Sequence, residues 1–289
     1  MSSATRCQGP PMGAEVWLYA RHERLLAARS RWTHIFAFAF AGLTLAIASS
    51  GYILSGGHGI EDFARTAASL TELVLLIVPL AALMMGILAM TPERGGAEVI
   101  YAQPIPRSTV LAGTWLGLLE ALVGAELIGF GAAGMVIFSQ SGDEGLGAYA
   151  VIVGASAVLT AVFLSLAALI SVGNIGRRRV RALALGLMIW FALALVFDVA
   201  VLGAATLLRS GDASRLLIVS ALVNPIDAIR TGAFLGVEGT GAFGPASQAL
   251  LRFTHGPVGA AALIGMSLLL WIVVPTLIAG RRLARIDIA

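Results

Sequence analysis

Six apolar runs dominate this chain, and each is long enough to cross a bilayer. They fall at roughly 33–54, 67–90, 109–138, 148–172, 182–208 and 258–279. A helix rises ~1.5 Å per residue, so about twenty apolar residues cover the ~30 Å hydrocarbon core. In hydrocarbon each backbone N–H and C=O needs a protein partner, and a helix satisfies them within its own segment. The expected fold is therefore all-α: a polytopic membrane protein with six transmembrane helices. Composition agrees, with 58% of residues hydrophobic and 12% charged, too apolar for a soluble domain. The third run is the longest, so it must tilt or project beyond the bilayer. Two parts follow: an N-terminal tail at 1–32 and a six-span membrane domain at 33–289.

Charge sets the expected orientation. The chain has no lysine; all 19 basic residues are arginine. With both termini inside, fourteen arginines face the cytoplasm: Arg6, Arg21, Arg24, Arg29, Arg31, Arg94, Arg107, Arg177, Arg178, Arg179, Arg181, Arg281, Arg282 and Arg285. Five face out: Arg65, Arg209, Arg215, Arg230 and Arg252. That imbalance satisfies the positive-inside rule, and an even number of spans agrees with it. Arginines at span ends point to membrane-surface anchoring, not to nucleic acid. The single Cys7 excludes an internal disulfide. Residues 14–32 carry four arginines together with Trp17 and Trp32, but their helical wheel gathers no polar face. Two readings stay open: an interfacial helix, or a plain cytoplasmic tail leading into the first span.

Between the second and third runs lies a polar island at 91–107. Glu93 and Arg94 open it, Gly95 and Gly96 follow, and 97–102 reads as a short helix. Pro104 and Pro106 stop that helix, because proline lacks the N–H and disfavours helix in the residue before it. A second long connection at 209–257 is expected on the outside. Its apolar stretch 216–223 breaks at Asn224-Pro225, and 226–235 reads as a short helix with Asn224 as N-cap and Pro225 at its first position. A third short helix fits 245–253. These stretches are too short to span, so they are re-entrant or surface-lying, or form an ordinary loop.

Four carboxylates fall within or near the runs: Glu72, Glu120, Glu126 and Asp198. Acids in lipid are costly and face a cavity or a partner. Glu120 and Glu126, six apart, lie on different helix faces. Hydrogen bonding inside the bundle is the expected role for each, and Asp198 is additionally within reach of Arg230 or Arg209. The histidines, His22, His34, His58 and His255, have no metal-ligand spacing, and the methionines are scattered. No metal site is expected. The chain has no G-x-S-x-G, H-E-x-x-H or Cys/His pair, so no catalytic residue is expected either. Without lysine a phosphate-cradling P-loop cannot exist here. Any ATP used must be bound by a second polypeptide.

This order of parts resembles the permeases of ABC-2 type transporters, in a type V exporter-like fold. The resemblance rests on Glu93-Arg94-Gly95, Val99-Ile100 and Gln103-Pro104-Ile105-Pro106-Arg107, with Gly96-Ala97, Gln103 and Pro106 departing from the usual pattern. It implies that the island is a coupling helix touching an ABC ATPase through Glu93, Arg94, Gly95, Glu98, Val99, Ile100, Tyr101, Pro104 and Arg107. ATP and Mg would then sit on that partner, with no cofactor on this chain. Two more stretches, 69–73 leading into 78–83 and Asn224-Pro225-Ile226-Asp227-Ala228-Ile229-Arg230, resemble permeases that serve nitrous-oxide-reductase maturation. That implies a homodimer in the bacterial inner membrane, among lipids, with a cytoplasmic ATPase and a periplasmic β-helical partner in copper-site assembly. Asn224, Pro225, Asp227 and Arg230 would lie in the re-entrant, partner-side segment. The alternatives are a generic exporter of a lipid, drug or other small molecule, and a proton-coupled secondary transporter using Glu126 or Asp198.

The expected topology can be checked with reporter fusions. A reporter after Ala289 should be active only as a cytoplasmic fusion; activity confined to the periplasm would reverse the assignment.

Overall fold

The computed structural model describes residues 12–53, 60–91, 105–141, 145–175, 178–236 and 245–285. Among these residues there is no strand. The helices are α1 (Met12–Arg29), α2 (Arg31–Ile53), α3 (Ile60–Met90), α4 (Arg107–Ser141) and α5 (Leu146–Val172). Next come α6 (Arg179–Phe191) and α7 (Phe197–Leu207), joined without a break by one wide π turn at Ala192–Val196. The chain ends in α8 (Ser210–Val223), α9 (Pro225–Gly236), α10 (Pro245–Thr254) and α11 (Pro257–Arg285). Among the described residues six segments are long and apolar enough to cross a membrane: α2, α3, α4, α5, the continuous α6–α7, and α11. α8 and α9 meet at a bend of 104° between Gly211–Val223 and Pro225–Gly236, the shape of a broken span or a re-entrant hairpin.

α5 forms the centre. Its most apolar window is 61% buried within the chain, against 6% for α6–α7. It packs on α3, α4, α9 and α11. The expected 216–223 stretch begins earlier, at Ser210, as α8, and the third short helix runs Pro245–Thr254 as α10.

α4 is the longest helix, and two elements lie along it in sequence: α1 on its first half and α2 on its second. Membrane helices gain little from apolar contact alone, because lipid tails are as apolar as leucine. Close backbone approach and hydrogen bonds hold them instead. At Gly117 of α4 an added Cβ would stand 2.6 Å from the Ala20 carbonyl oxygen and 2.8 Å from the Arg24 nitrogen. At Gly129 it would stand 2.6 Å from the Phe40 ring on α2. Thr44 Oγ1 donates to the Gly129 carbonyl at 3.1 Å. An aromatic row then ties α2, α4 and α5: Phe36, Phe40, Phe130, Tyr149 and Phe138, with neighbouring centroids 5.3–5.9 Å apart. The Tyr149 hydroxyl donates to the Phe130 carbonyl at 2.5 Å.

Residues 12–29 are thus a helix docked on α4, not a plain tail. The opposite face leaves Trp17, Leu18, Leu25 and Leu26 exposed, so both sides of α1 are partly apolar.

Gly117→Val should drive α1 off α4, because its Cβ meets backbone that cannot rotate away. Overpacking of this kind costs about 1–3 kcal/mol. The midpoint of thermal unfolding in detergent should fall, and proteolysis near Arg21 should speed up. An unchanged melt would show that α1 does not depend on this contact.

Candidate functional site

The most elaborate polar arrangement lies where the α8–α9 hairpin enters the bundle. Asn224, fully buried, is its apex. Its Oδ1 accepts from the Ile226 N–H at 3.0 Å, capping α9, and Pro225 occupies the first helical position where no donor is needed. Its backbone N–H donates to the Ser220 carbonyl at 3.0 Å, and its carbonyl accepts from the Ala228 N–H at 2.9 Å. Its Nδ2 donates to the Leu193 carbonyl at 2.8 Å, within the π turn between α6 and α7. The end of α8 is closed by α11. Ser267 Oγ donates to the Leu222 carbonyl at 2.5 Å, and Trp271 Nε1 donates to the Val223 carbonyl at 3.2 Å. Carbonyls that a bend would strand are thereby bonded.

α9 sorts its residues by face. Ile226, Ile229 and Ala233, at helical spacing, are buried. Asp227, Arg230 and Phe234 line a cavity of about 170 Å³ together with Asp198, Ser220 and Ser247. Arg230 is the centre. Its Nη1 lies 2.8 Å from Asp198 Oδ2 on α7 and 2.7 Å from Asp227 Oδ1 on its own helix. Its Nε lies 3.3 Å from Glu72 Oε1 on α3, near enough for charge attraction but without hydrogen-bond alignment. One guanidinium therefore faces three carboxylates from three elements. Of the two arginines within sequence reach of Asp198, the fold brings Arg230 to it. Asn224 and Pro225 are both buried, so they pin the hairpin and offer no surface to another protein.

The other two acids have different partners. Glu120 pairs with Arg24 of α1 at 2.8 Å. Glu126 is buried between α4 and α5, accepting from Ser156 Oγ at 2.7 Å and Thr160 Oγ1 at 2.5 Å. The signal for the second pair was in the sequence, since Ser156 and Thr160 are four apart and share a helix face. Nothing in the sequence singled out Arg24, 96 residues from Glu120.

Of the nine coupling candidates in the island, Arg107 is described. It opens α4 and donates from Nη1 to the Leu283 carbonyl of α11 at 3.3 Å. Glu93, Arg94, Gly95, Glu98, Val99, Ile100, Tyr101 and Pro104 lie outside the described residues.

Six spans, a re-entrant bend and a polar island between the second and third spans fit one kind of membrane protein. Residues 17–288 match the family described as ABC-2 family transporter protein. The chain belongs to that family. This ABC-2 chain is 34% identical over 262 residues to the probable ABC transporter permease protein NosY of Pseudomonas aeruginosa, covering 89% of this chain and 93% of that protein. It is 33% identical over 271 residues to the probable ABC transporter permease protein NosY of Stutzerimonas stutzeri, covering 92% and 96%. As an ABC-2 member it is a multi-pass membrane protein and the permease subunit of an ABC transporter. Asp198 is paired with Arg230, and Glu126 accepts from Ser156 and Thr160.

Removing Arg230 should cost more than neutralising one of its acids. Arg230→Ala leaves three carboxylates facing one another; losing one partner of a fully buried pair costs about 3–5 kcal/mol, and in this partly buried cluster about 2 kcal/mol is expected. Asp198→Asn keeps a hydrogen-bond acceptor and relieves repulsion, so it should cost no more than about 1 kcal/mol. Thermal unfolding of both purified variants checks the order. Arg230→Ala melting with the parent would remove the cluster's structural role.

Proposed function

We propose that this chain acts as the moving membrane part of a NosY-type machine, as a homodimer in the bacterial inner membrane. A separate cytoplasmic ATPase, holding ATP and Mg, pushes on the polar island. The response is passed to a periplasmic partner in copper-site maturation of nitrous oxide reductase. What carries the reading is a single helix. α3 holds Glu72 within the Arg230 cluster, runs on to Met90, and leads directly into the island. From Glu72 to Met90 is about 27 Å at the helical rise, nearly the depth of the hydrocarbon core. The helix continues through Pro79 without a break, so a displacement at one end reaches the other.

The physical steps follow from that helix. ATP closes two ATPase subunits, and each carries an island with it. α3 tilts, and Glu72 shifts against Arg230. Arg230 also holds Asp198 of α7 and Asp227 of α9, so the hairpin responds together with the sixth and seventh helices. Such an element has two states, and a distant site biases their balance. The likeness to the NosY proteins over most of the chain supports the choice of partner and task.

In the island, Val99, Ile100 and Tyr101 anchor in the ATPase groove, and Glu93, Arg94 and Glu98 make polar contacts at its rim. Few residues carry most of an interface's energy, and buried aromatics are favoured among them. Tyr101→Ala should cost roughly 2 kcal/mol of docking, a ~30-fold loss in affinity. Arg94→Ala should cost less, since an exposed ion pair is worth only ~0–1 kcal/mol. Both variants are purified with the ATPase, and bound stoichiometry and ATP turnover are measured. A double variant that forms an intact, fully active complex would end the coupling role of the island.

A further inference from the structure

We propose that Asp198 and Asp227 form a latch between α7 and α9: one shared proton closes it, and losing that proton loosens the hairpin. The charges at this site do not balance. Glu72, Asp198 and Asp227 converge on Arg230, so one cation meets three carboxylates. Asp198 Oδ2 and Asp227 Oδ1 contact the same guanidinium atom, Nη1, at 2.8 and 2.7 Å. That brings the two carboxyls together, and their side chains are in hydrogen-bonding contact. An ionised carboxylate can only accept a hydrogen bond, whereas a protonated one has an O–H to donate. Two carboxyls in contact therefore hold each other with one proton between them and repel without it.

The surroundings favour keeping the proton. Asp227 lies outside the six spans. Burial, and next the charge and contact of Asp198, push its carboxyl above the ordinary aspartate range, while Arg230 and Asn224 pull it back. Asn224 helps little, because its Nδ2 stands 3.4 Å from Asp227 Oδ2. α9 packs on α3, α5, α8, α10 and α11. α3 brings Glu72, which meets Arg230 and shares its charge. α8 and α10 present Ser220 and Ser247 to the same cavity. Among the described residues their charged groups, Asp212, Arg215 and Arg252, make no ion pair with the cluster. α5 has no acidic or basic residue, and the arginines of α11 stand in its last two turns. The Asp198 side chain is 24% exposed, and both acids open on the cavity of about 170 Å³, so protons can exchange. With the proton in place, an O–H bond ties α7 to α9 directly. Without it, the two helices present adjacent anions to one guanidinium that Glu72 also claims, and α9 is held less firmly.

The sign of the pH effect separates this latch from an ordinary ion pair. A carboxyl whose pKa is raised on folding stabilises the fold below its unfolded value of ~4, and that contribution is lost as pH rises through the folded value. A carboxylate held only by an arginine acts in the opposite sense. The full chain in detergent should therefore melt lower at about pH 8 than at about pH 5.5, by ~3 °C for each unit that the pKa is raised. Hydrogen-exchange mass spectrometry, corrected for the intrinsic pH dependence of exchange, should show protection of residues 225–236 falling over the same interval. Asp227→Asn and Asp198→Asn each put a permanent amide donor in place of the proton, so both effects should disappear. Glu72→Gln frees Arg230 for the pair and should move the transition to lower pH. Unchanged protection between the two pH values in the parent, or a loss in the aspartate variants equal to the parent's, would overturn the latch. A transition that stays in place in Glu72→Gln counts against it too. Should one aspartate variant fail to purify folded, the other carries the same comparison.

Discussion

The bend at Asn224 depends on one requirement: backbone polar groups buried away from water must find partners inside the protein. Asn224 meets it with every group it has. Its backbone N–H and C=O bond to Ser220 and Ala228, its Oδ1 to Ile226, and its Nδ2 to Leu193. α11 supplies the two remaining donors, from Ser267 and Trp271. An aspartate here would put an anion against the Leu193 carbonyl, and a leucine would abandon the side-chain bonds to Leu193 and Ile226. Where this turn is placed decides where α9 lies, and α9 places Arg230.

Arg230 then solves a second problem. Three acids from separate elements come together at the hairpin, and like charges in a partly desolvated site repel strongly. A single guanidinium with several donors in a plane can serve more than one carboxylate, which a compact ammonium does less well. Arg24 with Glu120 is the simpler counterpart at the other end. Glu126 takes a third route, with hydroxyl donors in place of a cation.

Much of this was legible in the sequence. The six spans appear where the apolar runs are, and the Asn224-Pro225 cap forms as the residue types require. Some helices start ahead of their apolar runs. α3 begins at Ile60, ahead of the apolar run from 67, because Glu61, Asp62 and Arg65 lower hydropathy without breaking a helix. α8 begins at Ser210 for the same reason, with Asp212 and Arg215 in its first turns. Hydropathy marks contact with lipid, whereas helix length follows hydrogen bonding. The docking of α1 was hidden by its wheel. One side meets α4 through Tyr19, Ala20 and Arg24, while the other exposes Trp17, Leu18, Leu25 and Leu26, so no single polar stripe exists. The meeting of Glu72, Asp198 and Arg230 is tertiary, joining residues no local pattern connects.

The sparsely covered α6–α7 span has a consequence for how the bundle can deform. Its polar attachments among the described residues include Arg179 to the Leu88 carbonyl, Trp190 to the Leu76 carbonyl, the Leu193 carbonyl to Asn224, and Asp198 to Arg230. The Arg179 and Trp190 bonds grip α3, the Leu193 bond goes to the hairpin apex, and Arg230 in turn faces Glu72 of α3. α1 and α2, by contrast, grip α4. The chain thus sorts into two bodies, one built on α3 and one on α4, with α5 packed between them as a common wall. The cheapest deformation of such an object is a shear of one body past the other along α5. In that motion the α3 body slides over apolar faces of α5, while Glu126 and Tyr149 keep α5 bonded to α4.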